Sequence, residues 1–89
     1  NIVRQLASEL GPRNIRVNAL SPGPLDTLAG RGIKGFVDMK KAHAERSPLG
    51  RNITHDEVGK AALFLCSELS SGITGAVIPL DGGYSIMGV

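Results

Sequence analysis

The 89-residue sequence has little of what a nucleic-acid-binding protein needs. It contains no tryptophan, one tyrosine and two phenylalanines, so it offers no aromatic platform on which bases could stack. Its ten lysines and arginines are scattered among eight acidic residues rather than grouped in one basic patch, and the net charge is only +2. The composition therefore argues against nucleic acid as a partner.

Cysteine and histidine are equally scarce. The single cysteine, Cys66, has no second thiol with which to form a disulfide, and its place in the apolar run 61–66 predicts an inert, buried side chain. The two histidines, His43 and His55, lack neighbouring ligands at metal-binding spacing. We expect neither a disulfide nor a metal site.

Long hydrophobic runs are missing too, since no stretch approaches the roughly 20 apolar residues of a membrane span. The first residues, 1–4, do not resemble a secretory signal, so a cytoplasmic protein without membrane contact is expected. The chain starts without Met, directly in a helical pattern and with no expected capping residue, which predicts a fragment of a longer protein.

What remains is 42% hydrophobic and 20% charged, typical of one small globular unit. Helical periodicity and stop signals predict a first helix up to Leu10, closed by Gly11 in the left-handed conformation and by Pro12. A second helix is predicted over 36–46. The capping box formed by Thr54 and Glu57 then predicts a third helix from His55 to Leu69.

Two strands are predicted around these helices. Alternating apolar residues favour one over Ile15–Leu20, and a short apolar run favours another over Gly75–Leu80, where Pro79 suggests a sheet edge or a strand end. The order helix, strand, helices, strand is that of one parallel βαβ crossover preceded by a helix. We therefore expect residues 1–89 to form a single but incomplete α/β domain, because a parallel strand normally has neighbours on both sides.

The segment Ser21–Leu28 is the best candidate for a ligand site. Ligands of open α/β sheets bind beyond the carboxyl ends of strands, and this segment follows the first strand. Gly23 permits close approach of the backbone to a ligand, and Thr27 offers a hydroxyl. An ordinary turn is the alternative interpretation, since loops rich in proline and glycine are common after strands.

Other polar residues have simpler roles. Asp56 and Glu57 stand at a helix N-terminus, where capping and the helix dipole explain them. Tyr84 has no lysine after it that could act as a catalytic partner, and we expect a structural role.

Two segments resemble the short-chain dehydrogenase/reductase superfamily: 13–23 (RNIRVNALSPG) is similar to its sixth strand and following loop, and 72–83 (GITGAVIPLDGG) to its last strand. Within that superfamily, four further segments are similar to the NADH-dependent enoyl-acyl-carrier-protein reductases of type II fatty acid synthesis: 23–29, 32–36, 51–54 and 83–88.

This resemblance implies the C-terminal part of a Rossmann-type, doubly wound parallel sheet. It implies an oxidoreductase that reduces a trans-2-enoyl thioester on acyl carrier protein with NADH, assembled as a homo-oligomer, a tetramer in the family. The implied cofactor-binding residues are Gly23, Pro24, Leu25, Asp26, Thr27, Leu28 and Ala29, with Ile33, Phe36 and Met39 lining the acyl pocket on a mobile flap. No catalytic residue is assigned, because the family's tyrosine and lysine would precede Asn1, and the isolated chain is expected to be inactive.

Two positions depart from the enoyl reductase pattern. Pro22 stands where those enzymes usually have a small residue, and Asp26 where they often have a basic one. These departures leave another short-chain dehydrogenase open as an alternative, such as a 3-oxoacyl-carrier-protein reductase. A non-catalytic assembly module, which would use its helix and edge strand as oligomer contacts, also stays open.

Overall fold

The computed structural model describes residues 1–25 and 34–87. Three helices and two strands follow one another in this part of the chain: α1 (Ile2–Leu10), β1 (Ala19–Pro22), α2 (Phe36–Arg46), α3 (His55–Cys66) and β2 (Val77–Leu80). The strands β1 and β2 are parallel, with Ala19 opposite Val77 and Pro22 opposite Leu80. The predicted α/β class and the parallel crossover are confirmed.

Both ends of α1 differ from the prediction. Asn1 is a capping residue after all, since its Oδ1 accepts a hydrogen bond of 3.0 Å from the Val3 amide. Gly11 stays right-handed, with φ of −53°, and opens a single 3₁₀ turn. The left-handed residue is Asn14, with φ of 59°, because the 3₁₀ turn postpones the reversal by three residues.

Strand β1 begins four residues later than predicted because side chains replace the first rungs of its ladder. The Val17 amide donates to Thr74 Oγ1 at 3.1 Å. The Asn18 side chain donates to the Ile73 carbonyl and accepts from the Ala76 amide. Only from Ala19 does the backbone pair regularly, and the strand then continues through Ser21 and Pro22 into the predicted loop.

Helix α3 begins as predicted. Thr54 Oγ1 accepts from the Glu57 amide, and the Glu57 carboxylate accepts from the Thr54 amide, so the capping box is confirmed. The helix ends at Cys66, earlier than the predicted Leu69, because Ser67 adopts an extended conformation and a 3₁₀ turn, Glu68–Ser70, follows.

The prediction of a buried Cys66 is wrong, since its side chain is exposed. At 3.6 residues per turn, the apolar run 61–66 wraps around α3 rather than facing one side. Ala61, Ala62 and Leu65 are half-buried, whereas Leu63 and Phe64 are exposed like Cys66.

In the described part of the chain, none of the helices combines the length and the apolar character that spanning a bilayer requires.

The second strand is also shorter than the predicted Gly75–Leu80, because Gly75 takes a positive φ of 75° in the turn that leads into it. Ala7 of α1 is buried against this turn: a Cβ at Gly75 would lie 3.6 Å from the Ala7 methyl group. Besides Ala7, Ile53 is the buried hydrophobic residue of the described chain. The apolar core formed by these residues is therefore small.

A polar cluster around Arg16 joins the end of α3 to the start of the sheet. The Arg16 guanidinium donates from Nη1 to the carbonyl and hydroxyl of Ser70 and to the Ile73 carbonyl, and from Nη2 to the carbonyls of Leu65 and Ser67, over 2.8–3.2 Å. Ser70 is almost completely buried, at 1% exposure. One side chain thus satisfies carbonyls at the C-terminus of α3, where a positive charge is also favourable.

Replacing this guanidinium should destabilise the protein. Arg16→Lys keeps the charge, but an ammonium group has fewer donors and cannot span four carbonyls. We expect a loss of about 2 kcal/mol in the free energy of unfolding, since each of the four carbonyls would lose one of its hydrogen-bond donors. Urea denaturation followed by circular dichroism measures it. Arg13→Lys, at an exposed arginine in the preceding turn, is the matched control, and an equal loss in both variants would contradict the role of the cluster.

Candidate functional site

The candidate site is an open cleft of about 670 Å³ at the carboxyl ends of β1 and β2, closed on one side by α2. This is the position at which open parallel sheets bind ligands. The end of β1, the turn after β2 and one face of α2 contribute its walls. The lining residues are Ser21, Pro22, Gly23, Pro24, Met39, Ala42, His43, Arg46, Asp81 and Tyr84.

Gly23 lies where β1 ends, and contacts fix it from two sides. Its amide donates a 3.0 Å hydrogen bond to the Leu80 carbonyl, which extends the pairing of the strands by one residue. A Cβ at this position would lie only 3.0 Å from Cε1 and 3.1 Å from Nε2 of His43. The edge of the imidazole therefore packs against the Gly23 backbone.

His43 is in turn held by an aromatic stack. Its ring lies 4.0 Å from the ring of Tyr84, centroid to centroid, with 14° between the two planes. The His43 Nδ1 is buried and has no hydrogen-bond partner among the residues that the structure describes. The imidazole thus forms a wall of the cleft by packing, while Nδ1 has no donor or acceptor beside it within residues 1–25 and 34–87.

The turn after β2 carries Tyr84. Asp81 accepts from the Gly83 amide through Oδ1 at 3.0 Å and from the Ser85 amide through Oδ2 at 3.1 Å. Gly82 and Gly83 have φ of 66° and 92°, values that favour glycine. A Cβ on Gly83 would also lie 2.9 Å from Cγ of Pro48. The carboxylate and the two glycines together fix this turn.

The loop between α2 and α3 contacts the turn that follows β2. The Leu49 amide donates to the Gly82 carbonyl at 3.1 Å. Ser47 is 5% exposed, and its hydroxyl lies 3.2 Å from the carbonyls of Ala44 and Arg51. Asn52 donates from Nδ2 to the Lys40 carbonyl at 3.1 Å, which ties the loop to α2. The two walls of the cleft are therefore connected through this loop.

An ion pair joins the same loop to α3. Arg51 donates from both terminal nitrogens to the two carboxylate oxygens of Glu57, at 2.8 and 2.9 Å. The hydrogen bond from Arg51, assisted by the Thr54 amide, lowers the pKa of Glu57 from 4.5 to about 2. The same hydrogen bond raises the pKa of Arg51 above its ordinary value. Glu57 is therefore a structural anion and not an acid–base group at neutral pH.

The structure brings together some of the residues predicted to form the site. Gly23 and Pro24, predicted to bind the cofactor, line the cleft together with Met39, predicted to line the acyl pocket. Leu25 is half-buried beside them but is not part of the described lining, and neither is Phe36, whose ring centroid lies 5.8 Å from Lys40 Nζ. The predicted residues Asp26, Thr27, Leu28, Ala29 and Ile33 lie outside the described residues.

His43 and Arg46 line the cleft, although the sequence did not predict either as a site residue. His43 was considered only as a possible metal ligand. Their spacing contained a usable signal: Met39, His43 and Arg46 follow one another at i, i+4 and i+7, which places them on one face of a helix. Among residues 1–25 and 34–87, no three histidine, cysteine, aspartate or glutamate side chains are grouped so that they could hold a metal ion.

Comparison with known proteins gives a consistent result. The family described as "Enoyl-(Acyl carrier protein) reductase" matches residues 1–85. The enoyl-[acyl-carrier-protein] reductase [NADH] FabI of Synechocystis is 55% identical over 87 residues, which are 98% of this chain and 34% of that protein.

Solved structures agree. The Bacillus cereus enoyl-acyl carrier protein reductase with NADP⁺ and indole naphthyridinone has a TM-score of 0.92 and 46% identity, over 98% of this chain and 34% of its own. The Anaplasma phagocytophilum reductase in complex with NAD has a TM-score of 0.87 and 41% identity, over 99% of this chain and 31% of its own. The chain thus spans about a third of the length of these relatives, and the predicted fold class is confirmed.

The Arg51–Glu57 pair should make stability depend on acid pH. The folded-state pKa of Glu57 is lowered, so the stabilisation is complete above pH 4.5 and is lost as the pH falls from 4.5 to about 2. We expect the free energy of unfolding to fall less steeply over that interval in Glu57→Gln than in the unsubstituted protein. Denaturant titrations at several pH values measure the slopes.

Arg51→Gln serves as the second variant, because it removes the largest cause of the lowered pKa and leaves the carboxylate in place. Its slope should also flatten. A slope equal to that of the unsubstituted protein in both variants would contradict the assignment.

Proposed function

Because this chain belongs to the family of enoyl-(acyl-carrier-protein) reductases, we propose that it forms part of an NADH-dependent enzyme that reduces the carbon–carbon double bond of a trans-2-enoyl thioester on acyl carrier protein. Residues 1–89 would supply one side of the cofactor site and part of the acyl pocket, as an incomplete portion of the catalytic domain. The family match over residues 1–85 is the observation that carries the proposal. The proposed activity is that of a polypeptide of the relatives' length that contains residues 1–89.

The cleft fits the nicotinamide end of a dinucleotide. Its volume of about 670 Å³ suits a ligand of that size, and it lies beyond the ends of parallel strands. Gly23, at the end of β1, is one of the residues that line it. When bound, the cofactor supplies a hydride to the β-carbon of the enoyl group.

This chain's own residues would bind and orient the cofactor and the acyl chain of the substrate. Gly23, Pro24 and Leu25 would contact the cofactor through their backbone, and the proposal extends this role to residues 26–29, with Thr27 as a side-chain ligand. Met39, on the α2 wall of the cleft, would contact the acyl chain together with Phe36 and Ile33. None of the 89 residues is assigned a catalytic role, and the polarising tyrosine and the lysine of the family are left to other residues.

We further propose a cytoplasmic homo-oligomer, a tetramer by resemblance to the family. Several large apolar side chains are exposed on the described chain, among them Ile2 at 71%, Leu63 at 71% and Leu69 at 81%. Exposure of this extent is unfavourable in water, which supports further protein covering these faces. The rest of the catalytic domain and a second subunit are both suitable covers.

The reaction is tested by the choice between two thioesters. A protein of full length carrying residues 1–89 should oxidise NADH with crotonyl thioester and not with acetoacetyl thioester, followed by the absorbance of NADH. Reduction of the ketone alone would favour a 3-oxoacyl-carrier-protein reductase and overturn the proposal. The 89-residue chain assayed alone should be inactive with both substrates.

Met39 tests the acyl pocket separately from the cofactor. Met39→Ala removes apolar contact area from the α2 wall and should raise the KM for a long-chain enoyl thioester roughly tenfold, since each buried methylene contributes measurably to binding. The Kd for NADH should stay within about twofold. Val37→Ala is the matched control, because Val37 lies on the same helix but is 76% exposed and outside the cleft lining. An equal KM in both variants would contradict the assignment.

A further inference from the structure

We propose that His43 is a positioning residue, whose imidazole sets the place of Gly23 and of the two residues that follow it, Pro24 and Leu25. This inference rests on the proposed function and adds to it a residue on α2 that acts on the cofactor through the backbone at the end of β1. His43 and Gly23 both line the cleft, and they contact each other at the point where β1 ends.

Backbone conformation does not explain the glycine at position 23. The described glycines with positive φ are Gly35, Gly50, Gly75, Gly82 and Gly83, and Gly23 is not among them. An alanine could therefore adopt its φ without strain. The reason for glycine must lie in the space around it.

That space is occupied by the imidazole. A Cβ at Gly23 would lie 3.0 Å from His43 Cε1 and 3.1 Å from Nε2, closer than ordinary van der Waals contact. The Asp81 Cβ lies at 3.4 Å from the same point. The ring thus fills the place that a side chain at position 23 would need.

The ring has little freedom to move away, because its other side is stacked on Tyr84. Tyr84 belongs to the turn that Asp81 fixes with two hydrogen bonds, and Gly83 of that turn packs closely against Pro48. The chain of contacts therefore runs from a fixed turn through two stacked rings to Gly23. A displacement of His43 would therefore shift Gly23 and, with it, Pro24 and Leu25.

Removing the ring should weaken cofactor binding without altering the chemical step. Without the imidazole, Gly23 loses its packing partner, and Pro24 and Leu25 must be held in place when the cofactor binds. We expect His43→Ala to raise the Kd for NADH about two- to tenfold, the effect that loss of an aromatic contact has elsewhere. His43→Phe keeps a planar ring and the stack on Tyr84, and should bind NADH within about twofold of the unsubstituted enzyme.

The decisive measurement is a double-mutant cycle in the full-length enzyme, with the Kd for NADH determined by calorimetry. Gly23→Ala should weaken binding when His43 is present, because the methyl group meets the ring. In the His43→Ala background, the same substitution should improve binding or leave it unchanged, because the methyl group fills vacated space. A purely structural role of His43 would lower the melting temperature but would not reverse the effect of Gly23→Ala.

Each outcome has a distinct meaning. Equal Kd values for His43→Ala and the unsubstituted enzyme, or the same loss from Gly23→Ala in both backgrounds, would overturn the positioning role. A His43→Phe variant as weak as His43→Ala would overturn it too, since the nitrogens and not the ring would then matter. If the unsubstituted enzyme itself binds no NADH, the proposed function fails instead. His55→Ala, at an exposed histidine outside the cleft lining, is the control and should retain the unsubstituted Kd.

Discussion

The arrangement of this chain depends on the Arg16 guanidinium, which donates hydrogen bonds to carbonyl groups between the end of α3 and the start of β2. Helix α3 ends and the chain reverses over 67–76 before β2 begins, so carbonyls here and in the last turn of α3 lie outside the regular hydrogen-bond ladders of the helix and the sheet. Arg16 reaches four of them together with the hydroxyl of the buried Ser70. Ala7 and Ile53 are the buried apolar residues of the described chain. Because this core is small, the polar cluster contributes stability that a larger apolar core would otherwise supply.

The same cluster positions the sheet, and the sheet positions the site. Arg16 is followed by Val17 and Asn18, whose hydrogen bonds to the chain before β2 fix the register of the two strands. Register decides which residues meet at the carboxyl ends, and here it brings Gly23 beside Leu80 and Asp81. The cleft therefore lies where it does because of hydrogen bonds at the opposite end of the strands.

The sequence predicted elements and their order well, because the signals involved are local. The capping box at Thr54 and the apolar stripe of α1 depend on residues a few positions apart. Strand boundaries were predicted less well, since β1 begins where the Asn18 and Thr74 side chains stop substituting for the ladder, and those residues are 56 positions apart in the sequence. Exposure of Cys66 depends on which side of α3 is covered, which apolar composition alone does not reveal.

The glycines around the cleft serve two different physical purposes, and this distinction explains why the sequence does not reveal the contact between His43 and Gly23. Gly82 and Gly83 are needed for their backbone conformation, with positive φ, and a turn motif such as Asp-Gly-Gly predicts that need by itself, to which the close contact with Pro48 adds at Gly83. Gly23 is needed for space, and the ring that occupies that space is 20 residues away on α2. A glycine of the second kind can be understood only together with its partner. Residues that contact one another at such a distance along the chain are therefore where structure adds most to a functional interpretation.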